Sequence, residues 1–146
     1  ADIKELDDLP MDGLALRVVK HEYNPEATVK MYGCPQTAYP RKNWSSLMLI
    51  NCSELRLWTM VAVERMTGKF LHRFENIHDT MIGEIDPAWN SLDKMDATTK
   101  LIHWTSGMLW NAPQAPDGSE WPHQEIWKQY RDEMYRDRMG LPNEAQ

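Results

Sequence analysis

One short segment of this chain combines the side chains that a phosphorylated sugar would need. Arg41 and Lys42 supply two cations. Ser45 and Ser46 follow with small hydroxyl groups, directly before the apolar run 47–50. A short apolar run bounded by polar residues is typical of a buried strand, and cations beside small residues suit a phosphate or a nucleotide. The pattern also fits an ordinary core strand preceded by a solvated basic turn.

Three later segments accompany this one in a fixed order. The segment 40–51 (PRKNWSSLMLIN) is followed by 71–75 (LHRFE), 82–90 (IGEIDPAWN) and 100–110 (KLIHWTSGMLW). Together they resemble a bacterial and phage group of glycosyltransferases related to the glycogenin-like and lipopolysaccharide galactosyltransferases. The resemblance covers roughly residues 1–121. It implies transfer of a sugar from a nucleotide-diphosphate sugar to a carbohydrate acceptor hydroxyl, with a divalent cation, Mn²⁺, neutralising the diphosphate.

The resemblance implies a metal and diphosphate site near the end of the last segment. His103 corresponds to the family's metal-ligating histidine, and Gly107 and Trp110 correspond to its diphosphate-contacting loop. Met108 and Leu109 stand where the family has Gly-Pro, so the close backbone approach that glycine permits is lost there. From the residues alone, the favoured interpretation of His103 is a strand histidine whose ring is bonded to a backbone carbonyl.

The sugar side of the implied site involves residues from two segments. Ser45 and Ser46 take the place of the family's small pair beside the donor sugar, and Arg41 and Lys42 become phosphate or acceptor contacts. Asp79 corresponds to an acidic segment near the sugar, where a carboxylate stabilises developing positive charge. The alternative for Asp79 is a loop carboxylate that caps the following turn.

The chain contains no Asp-x-Asp pair, which supplies the other metal ligands in these enzymes. One histidine does not hold a catalytic cation. The expectation is therefore an incomplete or inactive glycosyltransferase domain that depends on a missing N-terminal segment. The alternative is a non-catalytic derivative retained for its surface in a larger assembly or a virion. A carbohydrate-binding module, suggested by the aromatic content alone, is a third hypothesis.

Composition narrows the choice of partners. The 146 residues are 42% hydrophobic, enough for a sizeable core, and the net charge of −6 argues against non-specific nucleic-acid binding. No apolar run reaches the ~20 residues of a membrane span, and no signal peptide is visible. Two cysteines are too few for a disulfide framework. These features favour a cytoplasmic protein, or a virion-associated one under the structural alternative.

Strand and helix patterns alternate along the chain. Apolar runs predict strands at 14–19, 47–52 and 101–105, and a short element at 82–85. Apolar spacing predicts a helix over 55–66, with Gly68 as its stop signal, and a C-terminal helix over 125–139. The sequence predicts an α/β fold: a partial Rossmann-like sheet of the glycosyltransferase A type over residues 1–121, followed by a helical segment at 122–146.

Two geometric expectations follow. The strands 47–51 and 101–105 should belong to one sheet, with Leu49 and Ile102 buried. Ser45, Asp79 and His103 should converge on one cleft that spans a nucleotide sugar.

Overall fold

A three-stranded mixed sheet forms the centre of the protein. The computed structural model describes residues 1–25, 29, 34–105, 120 and 123–140. Strands β1 (Leu16–Val18), β2 (Met48–Ile50) and β3 (Ile82–Glu84) form this sheet in the order β2-β1-β3. Strand β1 runs antiparallel to β2 and parallel to β3. The central strand therefore joins two segments that lie far apart in sequence.

The side chains of β1 explain its central position. Leu16 and Val18 are fully buried, whereas Arg17 between them is half-buried on the opposite face. Arg17 donates from Nε to the carbonyl oxygen of Pro10 and from Nη1 to that of Glu84, at 2.7 and 2.9 Å. Beside it, a Cβ at Gly83 would lie 2.6 Å from Leu14 Cδ1 and 2.9 Å from Arg17 Cγ. A larger residue where β3 packs against Arg17 would therefore require these two side chains to shift.

Two apolar clusters pack on the sheet. The first surrounds the fully buried ring of Phe74 and stacks it on Trp58, with ring centroids 6.0 Å apart. The buried members of the first cluster are Ala15, Leu16, Val18, Leu55, Phe74, Ile77 and Ile82. The buried members of the second are Leu6, Val19, Ile85 and Trp89. The second cluster brings the first 3₁₀ turn, Ile3–Leu6, against the 3₁₀ turn Pro87–Asn90.

The expectation of one sheet containing 47–51 and 101–105 is wrong. Strands β4 (Ser91–Leu92) and β5 (Ile102–His103) form a separate two-stranded parallel sheet. Leu49 and Ile102 are half-buried rather than buried. The physical reasons are that β2 is an edge strand, covered on one side only, and that Pro87 opens a 3₁₀ turn that separates β3 from β4.

The helices confirm the predicted C-terminal helix and differ from expectation around residues 55–72. Helix α3 (Gln124–Met139) confirms the predicted C-terminal helix. The helix predicted over 55–66 is shorter in the structure, where α1 spans Met60–Arg65. Thr59 caps its N-terminus, since the Thr59 hydroxyl accepts from the Ala62 amide at 3.2 Å. Gly68 does not stop α1 but opens helix α2 (Gly68–His72) behind a second threonine cap.

The architecture is a mixture of helices, short strands and 3₁₀ turns in two small sheets. Within the described residues, none of the helices has the length and apolar character needed to cross a bilayer.

Truncation of the central strand should destabilise the whole fold. Leu16→Ala removes a fully buried side chain from β1 and should lower the free energy of unfolding by about 2–5 kcal/mol. Leu57→Ala, which truncates a leucine with 68% exposure, should change it by less than about 0.5 kcal/mol. Urea unfolding followed by circular dichroism measures both. Equal effects of the two variants would contradict the central role of β1.

The ion pair between Glu5 and Lys100 should make stability pH-dependent. The hydrogen bond from Lys100 lowers the pKa of Glu5 below its ordinary value of 4.5. The unfolded chain therefore binds the proton more readily, so this stabilisation is present above the ordinary pKa and is lost as the pH falls through the folded-state pKa. The difference in urea midpoint between the wild type and Glu5→Gln should shrink to zero in acid. Asp7→Asn is the control, and a difference that persists in acid would exclude this origin.

Candidate functional site

Arg41 connects two of the segments singled out in the sequence. Its Nη1 donates to the carbonyl oxygens of Arg73 and Phe74, at 2.6 and 3.0 Å, and its Nη2 forms an ion pair with Asp79. The Arg41 side chain is 18% exposed and that of Asp79 is 81% exposed. The predicted phosphate contact and the predicted catalytic carboxylate are thus direct partners.

Lys42 is not part of a solvated turn. Lys42 is buried. Its Nζ donates to the carbonyl oxygen of Thr37 at 2.9 Å and lies 4.7 Å from the ring centroid of Tyr39. The interpretation of 41–42 as a solvated cationic turn is therefore wrong for Lys42. A backbone acceptor and an aromatic face compensate for the burial of its charge.

The two serines have different partners. Ser45 Oγ is hydrogen-bonded to His72 Nδ1 at 2.7 Å. Ser46 Oγ donates to the carbonyl oxygen of Asn43 and accepts from Nδ2 of Asn90, both at 2.6 Å. The Ser46–Asn90 bond joins the segment 40–51 to the end of IGEIDPAWN.

His103 lies on β5, close to His21. Burial lowers the pKa of His21 below its ordinary value of 6.5, and the charge of His103 lowers it further. The carbonyl oxygen of His21 accepts from Trp44 Nε1 at 3.0 Å, and the half-buried Trp44 ring packs on the first apolar cluster. Within the described residues, no three His, Cys, Asp or Glu side chains are grouped to hold a metal ion. This part of the chain therefore does not fit a resident Mn²⁺ on its own.

Two adjoining depressions lie on either side of the segment 21–24. The larger, the Asn90 groove, has a volume of about 620 Å³. Its lining consists of His21, Glu22, Tyr23, Asn24, Gln36, Pro87, Asn90, Ser91, Leu92, Asp93, Lys94 and Thr105. The smaller, the Arg41 depression, has a volume of about 430 Å³ and is lined by the same segment 21–24 and by residues 38–42. The Asn90 groove therefore combines apolar surface with two carboxylates and one ammonium, and the Arg41 depression contains two cations.

A hydrogen-bond network fixes one wall of the Asn90 groove. Asp93 accepts from the amide of Thr105 at 2.8 Å and from its hydroxyl at 2.5 Å. The Thr105 hydroxyl is also 3.2 Å from the hydroxyl of Tyr23. Asp93 adopts a left-handed φ of 55°, so the end of β4 turns sharply back toward β5. The carboxylate of Asp93 therefore positions this wall.

The structure brings only some of the predicted site residues to these depressions. Arg41 and Lys42 line the Arg41 depression, and Asp79 forms an ion pair with Arg41 there. Ser46 is hydrogen-bonded to Asn90, which lines the Asn90 groove. Ser45 and His103 are outside both linings as far as the described residues show, and Gly107 and Trp110 lie outside the described residues.

Sequence reasoning missed the residues that build the groove itself. In the sequence, Asn90 is only the last residue of the segment 82–90, and His21 and Tyr23 lie outside the four segments that carry the resemblance. The burial of Asn90 depends on its bond to Ser46, which forms only on folding, so no local pattern indicated it.

Comparison with known proteins gives one relevant similarity. The chain is 46% identical over 120 residues to a protein of Arabidopsis thaliana named Protein CDI, a match that covers 75% of this chain and 46% of that protein. The chain thus spans about half the length of this curated relative. No protein-family model matches the chain. No solved structure matches it either.

Loss of the Asp93 carboxylate should loosen the wall of the Asn90 groove. Asp93→Asn leaves one side-chain oxygen to accept the two hydrogen bonds that Thr105 now donates to the carboxylate. The substitution should lower the free energy of local opening by about 1 kcal/mol. Hydrogen exchange of the Thr105 amide, followed by NMR, should become about fivefold faster. Asp96→Asn, which alters a neighbouring exposed turn, should leave that rate unchanged. An unaltered rate in Asp93→Asn would contradict the network.

Proposed function

We propose that this chain is a glycosyltransferase-like domain that binds a nucleotide-diphosphate sugar for transfer of the sugar to an acceptor hydroxyl. The observation that carries the proposal is the junction of the two depressions at residues 21–24. A depression with two cations beside a groove of mixed polar and apolar surface suits a ligand with a charged diphosphate at one end and a hydroxyl-rich ring at the other. The fold proposed with this function is a partial Rossmann-like sheet of the glycosyltransferase A type.

Arg41 is the proposed diphosphate contact. Its guanidinium is held in place by two carbonyl oxygens, so its position is fixed before a ligand arrives. Its ionic partner, Asp79, is far more exposed, and exposed ion pairs contribute little free energy. A doubly charged phosphate group is able to displace such a carboxylate. Asp79, once released, is the proposed carboxylate for positive charge that develops on the sugar.

The other site residues keep roles that rest on the resemblance. Ser45 and Ser46 are proposed for the donor sugar, and Lys42 for a phosphate. Gly107 and Trp110 are proposed for the diphosphate loop. His103 is proposed as one ligand of Mn²⁺. We derive no step through the metal because the described residues do not complete a site for it.

A second candidate is a non-catalytic module retained for its surface. Large apolar side chains are exposed on two helices: Met60 is 77% exposed on α1, and Met139 is 72% exposed on α3. Methionine is frequent at adaptable protein–protein surfaces. Under this alternative the depressions carry no ligand, and the location is a larger assembly or virion; under the first proposal the location is the cytoplasm.

Titration of the full chain with uridine diphosphate and a uridine diphosphate hexose, with and without Mn²⁺, tests the first proposal. We expect weak binding that shifts the NMR signals of residues 21–24 and 38–42. Arg41→Gln should weaken it roughly tenfold through loss of a charge-assisted contact. Lys69→Gln, which removes an exposed cation on α2, is the matched control.

Two outcomes would change the proposal. No shift with either compound would contradict it and favour the structural module. Micromolar, Mn²⁺-dependent binding that disappears in His103→Ala would instead show that the chain completes a metal site, against the expectation from the missing Asp-x-Asp pair.

A further inference from the structure

The lining of the Asn90 groove includes a buried acceptor that is paired with none of the described residues. Asn90 is 1% exposed, and its Nδ2 is occupied by Ser46. Its Oδ1 has no hydrogen-bond partner among the described residues. Buried polar atoms are nearly always paired, and an exception calls for a partner that is not part of the chain. A ligand that donates a hydrogen bond would satisfy this oxygen.

A second buried polar atom belongs to another lining residue of the same groove. His21 lines the same groove, and its Nε2 is also buried without a partner in the part of the chain that is described. An imidazole nitrogen and an amide oxygen in the lining of one groove suit a ligand with several hydroxyl groups, because each hydroxyl both donates and accepts. Phosphate, which offers mainly acceptors, would not satisfy Asn90 Oδ1.

The rest of the lining combines apolar and polar surface. Tyr23 contributes an aromatic ring, and Pro87 and Leu92 contribute aliphatic surface. A pyranose has the same division, with C–H groups on its faces and hydroxyl groups at its edge, and its C–H faces pack on such surfaces.

Charge around the groove disfavours an anionic ligand. Glu22 and Asp93 contribute two carboxylates, and Lys94 contributes one ammonium at the rim. The Asp93 carboxylate already accepts two hydrogen bonds from Thr105, so its role is to hold Thr105 in place. A carboxylate on the ligand would meet a net negative lining, whereas an uncharged ligand would not.

We propose that the Asn90 groove is a binding site for an uncharged hexopyranose, with Asn90 Oδ1 accepting from one sugar hydroxyl and His21 Nε2 bonded to another. This inference rests on the proposed function, since it assigns the sugar end of the nucleotide sugar to this groove. It adds the class of sugar and assigns hydrogen-bonding roles to Asn90 and His21.

NMR titration of the full, unsubstituted chain with D-glucose, D-galactose and D-glucuronate tests the proposal. At least one neutral hexose should shift the amide signals of residues 21–24 and 90–94 at millimolar concentration. Glucuronate should shift them less. Absence of shifts with both neutral hexoses, shifts confined to other surfaces, or a larger response to glucuronate would each overturn the proposal.

Substitution then tests the assigned contact. Asn90→Ala should weaken binding of the responding hexose roughly tenfold, as expected for loss of a hydrogen bond that completes a buried acceptor. Asn51→Ala removes an amide from the end of β2, outside the groove, and should leave binding unchanged. Circular dichroism checks folding. Should Asn90→Ala not fold, the titration of the unsubstituted chain decides alone.

The outcome is separable from that of the proposed function. Suppose that a neutral hexose shifts the NMR signals of the groove residues and that uridine diphosphate shifts none. This result would support the sugar site and contradict the glycosyltransferase-like function. Binding of the nucleotide sugar, with free hexose located elsewhere, would contradict the sugar site and leave the function intact.

Discussion

The structure depends on the pairing of one short central strand. Strand β1 binds β2 on one side and β3 on the other, and its flanking residues extend both ladders. Ala15 exchanges backbone bonds with both neighbouring segments, through the Met81 carbonyl oxygen and the Asn51 amide, each at 2.9 Å. The carbonyl oxygen of Val18 receives the Ile85 amide at 2.8 Å. Non-local backbone bonds therefore hold together segments whose own helices are too short to be stable alone.

The candidate site is built on the segments that this strand joins. One 3₁₀ turn (Trp44–Ser46) precedes β2 and another (Pro87–Asn90) follows β3, and the bond between Ser46 and Asn90 links these two turns. Arg41 makes a comparable link to the loop that carries Phe74. The geometry of both depressions thus follows from side-chain bonds between loops, which are in turn positioned by the small sheet.

Sequence patterns were sufficient for local structure but not for assembly. The pattern at 47–52 predicted the strand β2, and the periodicity at 125–139 predicted α3, because such patterns reflect local burial and spacing. The segment 82–85, ended by Asp86-Pro87, was predicted only as a short element, and it contains β3. The pairing of β5 with β4 depends on contacts between distant residues, which no local pattern specifies. The burial of Lys42 was missed for the same reason, because its stabilising partners are a carbonyl oxygen and a ring that become neighbours only after folding. The metal, the nucleotide and the sugar remain proposals.

Left-handed backbone conformations limit how this region can change over evolutionary time. Among the described residues, five that are not glycine have a positive φ, and four of them belong to the segments around the depressions: Arg41, Asn43, Phe74 and Asp93. β-branched residues are strongly disfavoured in such conformations. Substitution by a β-branched residue there would be selected against because of backbone geometry, even at positions where the side chain has room. Variation among descendants should therefore accumulate on the exposed helices, while the loops around the depressions retain a narrow set of residue types.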